Sequence, residues 1–247
     1  MQALMLAAGM GRRMGENMES IAKCMIKIGD KTLFERAADA LKLAGVRKFV
    51  IVVGWRGDQL ISEIQNIVSG MEFDFIHNSD YAVTNNIYSL YLARKQLGQD
   101  DTILLESDLI YDAGLLKRLV QHPAKDVAVV GKYQSWMDGT VTTIANNGII
   151  DAFIEKQDMR PQDMDRYWKT VNIYKFSRGF SQKQYIPQLE KHIREYGKNQ
   201  YYELVLKKLT RLSLACLTAM DIADTPWYEV DTVEDLKSAA AMFAPAG

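Results

Sequence analysis

Residues 1–31 read MQALMLAAGMGRRMGENMESIAKCMIKIGDK, and how that stretch is parsed decides the fold. A short apolar run, Ala3 to Ala7, reads as a strand, and it enters a glycine-turned loop, Ala8-Gly9-Met10-Gly11-Arg12-Arg13. Lys23 then heads a second short apolar run, Cys24 to Ile28. Glycines let a backbone approach phosphate oxygens closely, and its N–H groups can line an anion-binding concavity. Arg12, Arg13 and Lys23 add positive charge where a triphosphate would concentrate negative charge. The layout is that of a site holding a nucleoside triphosphate by its phosphates.

Other readings of the loop fit less well. A P-loop needs G-x-x-x-x-G-K-[ST], and no such string occurs in the chain. A dinucleotide fingerprint needs G-x-G-x-x-G running into a helix. Here the third glycine, Gly15, comes one residue late, and residues 15–22 lack an apolar helical period. Asp30 has no room for a crossover helix between it and the first strand. The plainest alternative is an ordinary strand-to-loop turn with surface basic residues.

Outward from the loop, strands and helices alternate, which predicts an α/β fold with a doubly wound, mostly parallel sheet. A helix over 32–44 opens on a capping box, Thr32-x-x-Glu35, with Leu33, Ala37, Ala40, Leu41 and Ala44 on one face. Further strands are expected at Phe49–Val53, Phe73–Ile76, Thr102–Leu105 and Val127–Val130. Helices are expected over 57–68, 86–97, 112–121, 179–196 and 200–210, and a last one behind a second capping box, Thr232-x-x-Asp235. Segment 155–168 is polar and reads as a flap or loop.

The 247 residues suit one domain, with 1–131 as a nucleotide-binding half and 132–247 as an acceptor- and metal-binding half, and two small domains are the alternative. A net charge of −1 argues against a nucleic-acid surface, which would need a basic stripe. Cys24 and Cys216 lie in apolar runs and read as reduced core residues. The apolar runs fall short of the ~20 residues of a membrane span, and Met1 leads straight into a strand. A soluble, cytoplasmic protein without a signal peptide is therefore expected. The Ala-rich ending, AAAMFAPAG, suits either a frayed terminus or the boundary of a longer polypeptide. His77, His122 and His192 have no metal-ligand spacing.

In an open parallel sheet, ligands bind beyond the carboxyl ends of the strands. The fourth strand ends at Glu106-Ser107-Asp108, which places Asp108 beside the glycine loop. If Trp227-Tyr228-Glu229-Val230-Asp231 is extended, Glu229 and Asp231 share a face. Three carboxylates converging on a phosphate site would suit Mg²⁺, which takes hard oxygen ligands. Taken singly, Asp108 could equally cap a strand end, and Glu229 and Asp231 could sit on a solvated edge. The backbone of Ala7 and Gly9 should lie close to the base. Asn85 and Asn86 head a helix on the same crevice, where an amide could pair with cytosine or simply cap the helix. Trp136, Tyr167, Trp168, Tyr201, Tyr202, Trp227 and Tyr228 crowd the second half among Asp138, Glu229 and Asp231. Aromatic faces with carboxylates make an ammonium site, at roughly 0.5–2 kcal/mol per cation–π contact, but the same rings also suit core packing or a dimer interface. Met10 and Met14 would face the nucleotide.

The run Leu6-Ala7-Ala8-Gly9-Met10-Gly11-Arg12-Arg13 resembles the LAAGxGxR signature of the nucleotidyltransferases that make sugar nucleotides, and Lys23 falls where their lysine falls. Ala22 stands where that family commonly has proline, which loosens the loop without removing charge. TNNIYSLYLA, LLESDLIYD, YQSWMDGTV, WKTVNIYKFS and WYEVDTVEDL are similar to the bacterial CTP:phosphocholine cytidylyltransferase branch, over residues 1 to about 243. The resemblance implies a Rossmann-like nucleotidyltransferase fold with a small acceptor-binding insertion. It implies Arg13 and Lys23 as catalytic residues, and Leu6, Ala7, Ala8, Gly9, Gly11, Arg12, Asn85, Asn86 and Ser107 as nucleotide-binding. Asp108, Glu229 and Asp231 would hold Mg²⁺, and Trp136, Asp138, Lys156, Trp168, Tyr201 and Trp227 would bind the acceptor. The expected reaction transfers CMP from CTP to phosphocholine. Phosphoethanolamine, 2-aminoethylphosphonate, phosphoserine or a sugar 1-phosphate stand as alternative acceptors, and a non-catalytic nucleotide-binding regulatory domain as an alternative class.

Overall fold

The computed structural model describes residues 1–14 and 21–244. Its strands are β1 (Gln2–Ala7), β2 (Lys27–Ile28), β3 (Lys31–Thr32), β4 (Lys48–Val53), β5 (Glu72–His77), β6 (Thr102–Glu106), β7 (Leu109–Tyr111), β8 (Val127–Lys132), β9 (Val141–Ile144), β10 (Ile150–Ile154), β11 (Trp168–Phe176), β12 (Thr218–Asp221) and β13 (Trp227–Glu229). Nine of them form one sheet, ordered β10-β9-β11-β6-β1-β4-β5, with β8 paired to β11 and β12. Strands β6, β1, β4 and β5 are parallel, while β11 runs antiparallel to β6, β8 and β9. The sheet is mixed, with its parallel strands drawn from the first half of the chain apart from β12, and strands from both halves of the chain belong to it.

Ala3–Ala7 and Phe49–Val53 are buried at every position. That continuous apolar character, without alternation, is what a parallel sheet covered on both faces requires. On one face, Met5, Ile51 and Leu105 pack under Phe34, Leu41, Leu60 and Leu116. On the other, Leu4, Val52 and Leu104 pack under Leu90, Leu97, Leu189 and Leu206. A smaller cluster of Met14, Ile26, Ile28, Leu33, Ile110, Tyr228, Val230 and Ala239 fastens the C-terminal segment beneath the glycine loop. Met14 is therefore 2% exposed and belongs to this core, so the expectation that it faces the nucleotide is corrected.

The helix Leu33–Leu43 carries its capping box as read, with Glu35 N donating to Thr32 Oγ1 at 3.0 Å and Thr32 N to Glu35 Oε2 at 2.8 Å. Val233–Met242 carries the second box, between Thr232 and Asp235. The Ala-rich ending is thus helical through Met242, with Ala239 fully buried. The helix expected over 112–121 begins only at Leu115, because after strand β7 (Leu109–Tyr111) Asp112 N donates to Pro226 O and Asp112 Oδ1 accepts Gly114 N in a turn. The polar segment 155–168 holds two 3-10 turns, Lys156–Asp158 and Pro161–Arg166, before Trp168 opens β11. Cys24 is buried as expected, but Cys216 is exposed, just before the edge strand β12, so its reading as a core residue is corrected. The reading of Gly15 and residues 15–20 lies outside the described residues. Among the described residues, no helix is long and apolar enough to cross a membrane.

Candidate active site

Beyond the carboxyl ends of β1 and β6 lies a cleft of about 510 Å³. Its glycine loop is held against the sheet by Trp55 N, which donates to Ala8 O at 3.2 Å. Gly54 permits this contact, since a Cβ there would stand 2.8 Å from both Ala8 O and Tyr81 Cβ. Gly11 adopts φ +61°, and a Cβ on it would meet Lys23 Cγ at 3.2 Å. The positive φ and the missing side chain together let the loop turn back over the Lys23 stem.

Lys23 Nζ donates to Asp108 Oδ2 at 3.0 Å and also to Asp231 Oδ1. Arg13 Nη2 reaches the same Asp231 oxygen at 2.9 Å. Burial by itself would lower the Lys23 pKa, but the two carboxylates outweigh it and hold the ammonium above its ordinary value. The two acids are brought together by a ribbon that periodicity did not reveal. Strand β13 pairs antiparallel with β7, Glu229 against Leu109, and Val230 N donates to Asp108 O at 2.8 Å.

The floor of the cleft has a different character. Glu106, the last residue of β6, accepts a bond from Asn86 Nδ2 at 3.1 Å, and Asn86 Oδ1 accepts Tyr202 N at 3.0 Å. Glu203 opens the helix Glu203–Arg211, is 8% exposed, and keeps Oε2 without a partner among the described residues. Lys169 is 2% exposed; its ammonium donates to Thr170 O at 2.8 Å and stands 3.4 Å from Glu229 Oε2. The register of β11 against β8 shifts between Thr170 and Tyr174, and within that irregularity Asn172 takes φ +59°. Asn172 Nδ2 then reaches Glu229 Oε1 at 3.3 Å. Burial raises all three carboxyl pKa values. Glu203 rises to about 7; Glu106 goes well up, reinforced by the charges of Asp108, Glu203 and Glu229; Glu229 rises less freely because Lys169 opposes the shift.

Most of the expected residues meet in this one cleft. Leu6, Ala7, Ala8, Gly9, Gly11, Arg12, Arg13, Lys23, Asn85, Asn86, Ser107 and Asp108 line it from the first half, and Asp138, Lys156, Tyr201, Glu229 and Asp231 from the second. Lys156 and Asp138 pair across it at 2.9 Å. Asn85 Oδ1 caps its own helix through Asn86 N, and the Asn86 amide is committed to Glu106 and Tyr202, so Asn86 belongs to the floor.

Three tryptophans stand elsewhere, and the expected aromatic cage is corrected accordingly. Trp136 is 54% exposed and stacks on Tyr228, with ring centroids 5.2 Å apart. Trp168 carries the Lys132 ammonium over its ring. Trp227 packs on the sheet beside Gly131 and Ile222. Tyr167, Tyr202 and Tyr228 are buried, which leaves Tyr201 as the one member of that set in the cleft. Among the described residues no three His, Cys, Asp or Glu side chains stand grouped around one point. Glu229 is turned to Lys169 and Asn172, while Asp108 and Asp231 face each other across Lys23.

Sequence reading missed Tyr81, Lys169, Asn172 and Glu203 as lining residues, and did not select Glu106. A signal for two of them was present: Lys169 and Asn172 are, with Thr170 and Lys175, the polar residues of a strand that is otherwise apolar or aromatic. In a buried strand, such residues must face a polar cavity or a counter-charge.

Comparison with known proteins places this geometry. The family model for the MobA-like NTP transferase domain matches residues 3–208. The chain is 27% identical over 245 residues to CMP-5'-(3-aminopropyl)phosphonate synthase of Streptomyces rubellomurinus, covering 99% of this chain and 39% of that protein. It therefore spans well under half of that relative's length. It is 24% identical to the CTP:phosphoglutamine cytidylyltransferase of Campylobacter jejuni, covering 96% of this chain and 98% of that one. In structure it is similar to CTP:phosphocholine cytidylyltransferase from Streptococcus pneumoniae, with a TM-score of 0.81, 18% identity and 97% of each chain covered, which is a likeness of fold.

Proposed function

Because the chain belongs to the MobA-like NTP transferase domain family, and is a nucleotidyltransferase, we propose that it transfers CMP from CTP to a small phosphate or phosphonate bearing a primary amine. One observation carries the acceptor: the loop end holds Arg12, Arg13 and Lys23, and the floor holds three buried carboxyl groups, Glu106, Glu203 and Glu229, beside Lys169; an arriving ammonium would bring the raised pKa values of those carboxyls back down. A phosphorylated ammonium compound has the complementary pair of charges. The three similar proteins support the nucleotide by their printed names, which describe a CMP product or CTP as substrate. With the tryptophan cage absent, carboxylates that accept N–H bonds favour a primary ammonium over phosphocholine, whose quaternary nitrogen has no N–H to donate.

The chemistry needs little proton transfer. An acceptor oxygen, already ionised, attacks the α-phosphorus of CTP, a P–O bond forms, and the bond to pyrophosphate breaks in line. No general base is required, so catalysis rests on positioning and on neutralising charge. Lys23 and Arg13, which line the cleft at the glycine loop, would stabilise the α-phosphoryl group and the leaving pyrophosphate. Asp108 and Asp231 fit a Mg²⁺ ion, which commonly takes one or two carboxylates and completes its shell with phosphate oxygens and water; Asp108 Oδ1 is buried with no partner among the described residues. Bound there, the ion would supply Lewis-acid charge neutralisation. Glu229, paired with Lys169, belongs to the acceptor floor instead.

The test is pyrophosphate release with Mg²⁺, crossing four nucleoside triphosphates against 2-aminoethylphosphonate, phosphoethanolamine, phosphoserine, phosphocholine and glucose 1-phosphate. Turnover with CTP and the primary amines, and weaker turnover with phosphocholine, is expected. Turnover with glucose 1-phosphate alone would overturn the acceptor reading, and nucleotide binding without turnover would favour a regulatory domain.

A further inference from the structure

Lys23 and Arg13 are the cations a triphosphate would meet, yet both are engaged by carboxylates. Lys23 lies between Asp108 and Asp231, and these three side chains are only 14%, 17% and 16% exposed. Two cations balance two carboxylates there, so the pair that fits a divalent ion already holds a cation of the protein. A metal arriving alone would have to settle beside an ammonium in a poorly hydrated pocket, and like charges repel strongly in such a place. A triphosphate changes the balance by offering Lys23 and Arg13 phosphate oxygens in place of the two acids. Lysine suits the exchange, since its ammonium is a point charge on a flexible stem, and Gly11 leaves that stem room against the loop.

We propose that Lys23 is an internal stand-in for the metal: it closes the Asp108–Asp231 pair until the nucleotide's phosphates draw it away. Metal and nucleotide then bind together, and each binds weakly alone. By linkage, the help that nucleotide gives to metal equals the help that metal gives to nucleotide. The inference rests on the reading above only for phosphate at the loop and metal on this acid pair; it is independent of the base and of the acceptor.

Free Mn²⁺ counted by electron paramagnetic resonance, with the whole protein and no acceptor, tests it. Wild type should bind Mn²⁺ weakly alone and at least about tenfold more tightly with α,β-methylene-CTP. Lys23→Met should bind Mn²⁺ alone at least about tenfold more tightly than wild type, and nucleotide should add less. Adding Asp108→Asn to Lys23→Met should erase the gain. If Lys23→Met loses its circular-dichroism melt, Lys23→Gln serves in its place. Tight Mn²⁺ binding by nucleotide-free wild type, an unchanged or weaker affinity in the Lys23 variant, or a gain that survives Asp108→Asn would each overturn the proposal. No Mn²⁺ binding even with nucleotide would overturn it together with the metal assignment. Coupling with the methylene analogue of another triphosphate, and none with that of CTP, would support it while refuting CTP.

Discussion

The two ends of the cleft handle charge in opposite ways. At the glycine loop, Lys23 and Arg13 are matched one for one by Asp108 and Asp231, all four within direct bonding reach. At the floor, Lys169 pairs with Glu229, Glu106 and Glu203 have no salt-bridge partner among the described residues, and burial lifts all three carboxyl pKa values. The first end is paired within itself, and on the proposal above a ligand opens it; the second is unmatched, and on the proposed function an acceptor's ammonium would complete it. Self-pairing suits charges that must stay ionised for every turnover, whereas an unmatched buried carboxylate selects for the partner that neutralises it.

The largest expected effect strikes the loop end. Lys23→Ala or Asp108→Ala should lower turnover by ~10²-fold or more with a retained circular-dichroism spectrum, as pyrophosphate release will show. Near-normal activity in either would break the contrast, because the loop would then hold charge without using it. Glu203→Gln should strike only the floor, raising the acceptor KM about tenfold and leaving the CTP KM within about twofold, since one charge-assisted bond is lost. An equal rise in both KM values would mean the two ends are one site.

The floor also predicts a pH signature. Glu203 titrates near 7 in the folded chain, against an ordinary value of 4.5. The folded state therefore holds this proton more tightly, and the group's contribution to stability falls as pH rises from about 4.5 to about 7. Thermal melts should show Glu203→Gln gaining on wild type across that window and holding a constant offset above it. A flat difference would mean the floor is not dry. Two smaller effects calibrate the rest. Thr32→Ala, remote from the floor, should cost about 1 kcal/mol in urea denaturation through its lost helix cap. Trp136→Ala should leave the acceptor KM within about twofold; a larger change would return that ring to the site.

The same contrast explains which features could be read in advance. Leu6 to Arg13 and Lys23 are neighbours in the chain, and a glycine turn with adjacent cations states its chemistry locally. Thr32-x-x-Glu35 and Thr232-x-x-Asp235 are equally local, and both boxes form. The floor is drawn from β6, β11, β13 and the start of the helix Glu203–Arg211, which no short-range pattern connects. Aromatic residues misled for a related reason: Trp227 in the sheet and Trp136 on Tyr228 are placed by packing partners far away in the chain.

By itself, then, the sequence determined the α/β alternation, the glycine-turned loop and the two capping-box helix starts, because hydrophobic period, glycine freedom and capping act over a few residues. Tertiary structure alone decided that the β7–β13 ribbon joins Asp108 to Asp231 around Lys23, and that Glu229 turns instead to Lys169. Which acid meets which base depends on strand pairing and register between distant segments, and that choice is made by the packing of the whole fold.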